Sequence, residues 1–183
     1  MKKMKVRWPF LWLLGLPIAL LALPLTISTR HPDKRIPRTM NSLTDLAGSI
    51  AKYADEYGKL PNAPSSDFET EGPEAAELIT VLRGKEEIQQ MQNPRQIAFL
   101  TMRTSKHKKL GGLVMTSDNK VAGAYDNWGN PLRVILRPPD KSVHLISHRG
   151  KQVASSQPAV VLSRGADQKW GTKDDLISNL DRP

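Results

Sequence analysis

The sequence predicts an α+β domain carried behind an N-terminal membrane helix. Three observations point there: an uncharged apolar run near the start, helical spacing of apolar residues after it, and short β-rich stretches between turn residues towards the end. The 183 residues suit one modest domain with an appendage. The absence of cysteine excludes disulfide frameworks and thiolate metal sites.

The apolar run, "WPFLWLLGLPIALLALPLTIS", extends from Trp8 to Ser28 without a charge. A helix needs roughly 20 apolar residues to cross a ~30 Å hydrocarbon core. The run exceeds the roughly 7–15 apolar residues of a secretory signal, and "ALPLTIS" fits small-residue cleavage poorly. Residues 1–29 therefore read as an uncleaved anchor in preference to a removed signal. Pro9, Pro17 and Pro24 are tolerated in such a helix and kink it. The basic start, "MKKMKVR", favours an inside N-terminus. This predicts a single-pass protein of the inner membrane with its domain in the periplasm.

The charge distribution agrees. The net charge is +9, but residues 1–38 hold eight basic residues and one acid, against 19 and 17 over the rest. A nucleic-acid module spreads its basic footprint over a folded face. Here the positive charge flanks apolar sequence, so the expected partner is a membrane and not nucleic acid. Residues 30–38, "RHPDKRIPR", read as a charged linker in which Pro32 and Pro37 forbid a smooth helix. The folded domain is then 39–183.

Within it, Met40, Leu43, Ala47, Ile50, Ala54 and Tyr57 lay one stripe on a helix, started by Thr39, Asn41 or Ser42 and ended by Gly58 and Pro61. Residues 62–73 are a polar loop. A second helix is expected from Pro73 through "EAAELITVLRG", with Ala75, Leu78, Ile79 and Leu82 inward. "GLVMT" is a strand candidate. "LRVILR" (132–137) and "SVHLIS" (142–147) read as a hairpin across "PPDK". "AVVLS" (159–163) is a further strand, which delivers the chain into "SRGADQKWGTKDDL".

That last loop gathers Asp167, Asp174 and Asp175 around Gly165 and Gly171. Calcium takes six to eight oxygens at about 2.3–2.6 Å from carboxylates, carbonyls and water, and crowded carboxylates repel unless a cation neutralises them. The loop lacks the D-x-[DN]-x-[DN]-G run of an EF-hand. Spacing alone leaves a second reading open, in which Asp174 caps a short C-terminal helix and Asp167 closes a turn. "YDNWGNP" (125–131) reads as a structural turn with Trp128 packed over it. His144 and His148 share a face as solvated hairpin residues, with no zincin carboxylate beside them. "RTSKHKK" (103–109) is an exposed basic loop. Ser163 lacks the glycine of G-x-S-x-G, and no Gly-rich phosphate loop occurs. Nothing here requires an enzyme, and none is expected.

Taken in order, "YADEYGKLP", "DNWGNPLRVIL" and "VVLSRGADQKWGTKDDL" resemble the GspG-like major pseudopilins of type II secretion systems, over roughly residues 40–180. The resemblance implies a pilin-like α+β fold: an N-terminal transmembrane helix, then helices packed on a small antiparallel sheet with a C-terminal calcium loop. It implies Ca2+ held by the side chains of Asp167, Asp174 and Asp175 and by the carbonyls of Arg164, Lys169 and Thr172. It further implies a structural, non-enzymatic component of a type II secretion or type IV filament-type machine, partnered by other pseudopilin or secretion-system subunits or by copies of itself as a homo-oligomer. The N-terminus differs from the family's: it has no Gly-Phe prepilin junction and no glutamate in the apolar stretch. That difference favours an alternative, a stand-alone extracytoplasmic calcium-binding interaction domain outside any filament.

Overall fold

Helix α1 spans Arg35–Tyr57 in the computed structural model, which describes residues 33–87, 91–137 and 141–178. It starts before the expected Met40, inside the segment read as a linker. Pro37 is accommodated because it falls in the first turn, where a backbone N–H has no intrahelical partner. Asp33 serves the exposed donors instead: its side chain accepts the Arg35 N–H at 3.0 Å, and its carbonyl accepts the Ile36 N–H at 3.2 Å. Leu43, Leu46, Ile50 and Tyr53 are buried along one side, the i, i+3, i+7 recurrence of a core-facing stripe. Gly58 ends the helix in the left-handed region at φ 66° and donates to the Ala54 carbonyl.

Helix α2, Pro73–Leu82, opens on proline and buries Ala75, Leu78, Ile79 and Leu82, the four residues expected, together with Val81. The strands follow as β1 (Asp67–Glu69), β2 (Thr104–Ser105), β3 (Gly112–Met115), β4 (Val121–Tyr125), β5 (Arg133–Leu136), β6 (His144–His148), β7 (Lys151–Ser155), β8 (Ala159–Ser163) and β9 (Leu176–Ile177). One antiparallel sheet has the order β1-β5-β8-β9; a mixed sheet has β2-β3-β4, with β2 parallel to β3; β6 and β7 pair alone.

Strand β8 explains the layering. All five of its residues are buried. Ala159 and Val161 join the main core beneath α1, while Val160 and Leu162 pack with Ile146 of β6. A strand apolar on both faces is one covered on both faces, here by a helix on one side and the β6–β7 hairpin on the other. Thr70 ties this sheet to β4. It exchanges backbone hydrogen bonds with Leu132 and Ala124, and its hydroxyl donates to the Ala124 carbonyl and accepts the Leu132 N–H.

The architecture corrects the expected pilin-like fold. Among the described residues there are two α-helices and three small sheets, one of them mixed, in place of one antiparallel sheet. The strands hold only two to five residues, and the turns between them re-aim each one before a single sheet can extend. The single-pass inner-membrane placement is corrected with it: among the described residues no helix is long and apolar enough to cross a membrane. The longest, α1, carries Asp45, Lys52 and Asp55 along its length. The anchor expected at 1–29 lies outside the described residues.

The predicted hairpin of 132–137 with 142–147 also gives way. Strand β5 pairs with β1 and β8, and β6 pairs with β7. Arg149 and Gly150 adopt φ 51° and 71°, the positive pair of a two-residue turn whose twist suits a hairpin. That local turn outcompetes the "PPDK" connection.

Candidate functional site

The "DNWGNP" turn is organised by Asp126, which is 0 % exposed. One carboxylate oxygen accepts the N–H groups of Trp128 (2.8 Å) and Asn130 (2.9 Å). The other accepts the Asn130 side-chain amide (2.8 Å) and the Ser163 hydroxyl (2.6 Å). Asn130 Nδ2 also donates to the Gly165 carbonyl at 2.9 Å, and Ser163 Oγ accepts the Gly165 N–H at 3.0 Å. Two motifs far apart in sequence therefore meet in one buried network. The Ser163 hydroxyl is held as a bridge between a carboxylate and a backbone N–H, a scaffolding position. Trp128 lies beneath the Arg35 guanidinium at 5.4 Å, and its indole N–H is buried without a partner among the described residues.

From this network the chain enters the aspartate loop. Gly165, Gln168 and Gly171 all take positive φ, at 62°, 60° and 84°, so the loop folds back on itself. Gly165 is required by close approach as well as by φ: a Cβ there would lie 2.1 Å from the Asp174 carbonyl oxygen. Asp167 is exposed. Its carboxylate accepts the Lys169 N–H at 3.0 Å; this bond, with help from the Thr172 side chain and the Lys169 charge, holds its pKa below the ordinary carboxylate value. The Asp174 N–H donates to Thr172 Oγ1 at 3.3 Å. Asp175 is the buried member, 2 % exposed. Its Oδ2 accepts the Gly171 N–H at 2.8 Å, while its Oδ1 has no partner among the described residues. The Asp175 N–H donates to the Thr172 carbonyl at 3.3 Å.

The three aspartates thus occupy one loop but do not converge. Among the described residues, no three His, Asp or Glu side chains stand close enough together to hold a metal ion. One oxygen of the set, Asp175 Oδ1, is nevertheless left buried without a donor among the described residues. A buried carboxylate oxygen without a donor costs free energy, and calcium draws much of its shell from carbonyls and water. The helix-cap alternative for Asp174 is not what the chain adopts, since β9 follows at Leu176 and pairs with β8.

The loop is anchored on two sides. Trp170 sits between the guanidinium groups of Arg133 and Arg164, at 5.5 and 5.4 Å from its ring. Arg133 pairs with Asp67, and Arg164 with Glu69, which ties the loop to β1. On the other side, Arg149 in the β6–β7 turn donates through Nε and Nη2 to the Asp175 carbonyl, at 3.1 and 2.9 Å. None of these anchors was legible in advance. Arg133 and Trp170 lie inside the quoted stretches without a role assigned there, Arg149 lies outside them, and their partners are remote in sequence. Asn93, fully buried, is a second unforeseen hub. It donates to the Val81 and Ile97 carbonyls and accepts from the Tyr57 hydroxyl and the Ile97 N–H.

His144 and His148 do share a face, but it is the inward one. His144 is 7 % exposed, and one ring nitrogen of each is buried without a partner among the described residues. Burial lowers both pKa values. The Arg137 charge adds to this at His144 and the Arg149 charge at His148, where Asp175 partly opposes it. An imidazole with a lowered pKa in the folded state leaves the unfolded chain binding more protons below about pH 6.5. The stability it supports is complete above that pH and is lost as pH falls through the folded value. Urea midpoints should therefore drop between neutral pH and pH ~5, and His144→Phe should flatten the drop; an unaltered profile in that variant removes His144 as its source.

No known protein family, no curated protein and no solved structure matches the chain.

Proposed function

We propose that this domain is a non-enzymatic interaction domain whose final loop, residues 164–175, is held in shape by a calcium ion. The observation that carries the reading is Asp175 Oδ1, a buried carboxylate oxygen with no donor among the described residues. Asp167 and Asp174, which stand apart from it in the described loop, would turn inward to add side-chain oxygens, with the carbonyls of Arg164, Lys169 and Thr172 as the remainder. The ion supplies positive charge that no side chain of the loop places at Asp175 Oδ1. Its job is mechanical: it fixes the C-terminal edge of the sheet, where β9 closes on β8.

The test is thermal unfolding of the full chain with calcium and then with a chelator. A ligand at about 100 times its dissociation constant stabilises a fold by roughly 2.7 kcal/mol, so Tm should rise clearly with calcium. The rise should disappear in Asp175→Asn and in the double variant Asp174→Ala, Asp175→Ala. An unchanged Tm in millimolar calcium sinks the site.

A second reading, a structural subunit of a secretion-type assembly, is favoured by one observation. The two motifs that resemble those of the major pseudopilins, around Asp126 and around Ser163, are bonded to each other. Crosslinking in the native cell should then capture secretion-system subunits or further copies of the chain. Recovery of monomer alone removes this reading and leaves the first.

A further inference from the structure

A groove of about 440 Å³ runs beside the first half of α1. One wall is α1, which presents Arg38, Ser42 and Asp45 along a single side. The other is the chain from Thr101 to Arg103. The two walls run in opposite directions: Ser49 Oγ donates to the Phe99 carbonyl at 3.0 Å, and Thr101 Oγ1 reaches Asp45 Oδ1 at 3.4 Å. Two residues further along, the same pairing brings Arg103 level with Asn41, about one helical turn from Arg38. The groove is therefore polarised, with a carboxylate at one end and two guanidinium groups at the other. Seven helical residues at about 1.5 Å each set the ends about 10 Å apart.

Neither end has an ion-pair partner among the described residues. Arg38 and Arg103 have no ion-pair partner among the described residues, and Arg103 spends one guanidinium nitrogen on the Leu110 carbonyl. Asp45 is half-buried, and burial raises its pKa against the pull of the Thr101 hydrogen bonds and the Lys52 charge. Two arginines lining one groove suit a carboxylate, which a guanidinium grips through paired N–H donors. The opposite end suits a cation. About 10 Å is the length of three extended residues.

We propose that this groove captures the C-terminal end of a peptide, with its free carboxylate between Arg38 and Arg103 and the cationic group of the third residue from the end against Asp45. End-carboxylate capture of this kind is an established mode of peptide recognition. No groove residue belongs to the 164–175 loop, so the proposal stands apart from calcium.

The probe is the tripeptide Lys-Gly-Gly, titrated into the full chain and followed by calorimetry. Saturable binding is expected. It should weaken at least about tenfold when the peptide is C-terminally amidated, in Arg38→Gln, in Arg103→Gln and in Asp45→Asn. Lys106→Gln, at an exposed position outside the groove, should leave it unchanged. Circular dichroism of each variant verifies the fold. Absence of saturation, indifference to amidation, equal affinity for acetate, or full binding by the Arg38→Gln, Arg103→Gln double variant would each overturn the proposal.

Discussion

Asp126→Ala should cost the domain most of its stability. Asp126 is fully buried, and four donors converge on it: two backbone N–H groups, the Asn130 amide and the Ser163 hydroxyl. A hydrogen bond to a charged group contributes about 1.5–3 kcal/mol, and each buried donor left without a partner costs about 1–3. These terms do not add, because the four bonds share one acceptor. Even so, a loss of about 5 kcal/mol is expected, against the ~5–15 kcal/mol that usually separates folded from unfolded states. Asp126→Asn is the sharper comparison. It keeps an oxygen for the Trp128 and Asn130 N–H groups but turns a donor towards Asn130 Nδ2 and Ser163. The hydroxyl can rotate to accept, so about half the cost is expected. Urea unfolding followed by circular dichroism orders the three proteins: wild type, then Asp126→Asn, then Asp126→Ala. A loss below about 1 kcal/mol in Asp126→Ala would show that the "DNWGNP" turn does not organise the fold.

What sequence could and could not convey follows from the range of each interaction. Both helices were legible, because Leu43, Ile50, Leu78 and Ile79 repeat at helical spacing and the pattern is local. So were β5 and β8, built on the apolar runs 134–136 and 159–162. The pairing of strands was not. The hairpin expected across "PPDK" lost to Arg149 and Gly150, a turn signal shorter than the one read. Strand β1 hid in a polar loop because only Phe68 of its three residues points inward. The aspartate loop was legible as composition, and which aspartate is buried was not. That choice is made by Gly171 and by the Arg149 grip on the Asp175 carbonyl, two features separated along the chain. The early start of α1 was masked by Pro37, since the rule against proline in helices lapses in the first turn.

The loop's dependence on close approach gives the second large effect, at Gly165. Alanine there meets two penalties. The left-handed region costs an L-residue about 1–2 kcal/mol, and the new Cβ would lie 2.1 Å from the Asp174 carbonyl oxygen and 2.8 Å from its carbon. Those atoms are backbone, so no side chain can swing aside to make room. The chain must move at 165 or at 174. Movement at 165 strains the Gly165 N–H bond to Ser163 and the Asn130 bond to its carbonyl. Movement at 174 shifts Asp175, which follows it directly. Gly171→Ala separates the two penalties. Its φ of 84° carries the conformational cost, but nothing lies within 4 Å of a Cβ placed there. A loss of about 1–2 kcal/mol is expected at Gly171, and of roughly 3 kcal/mol or more at Gly165. Calcium adds an independent measure. If the ion is held by the folded-back loop, the calcium-dependent rise in Tm should shrink more in Gly165→Ala than in Gly171→Ala. Equal losses of stability at the two positions would mean that the contact between Gly165 and the Asp174 backbone does not hold the loop closed.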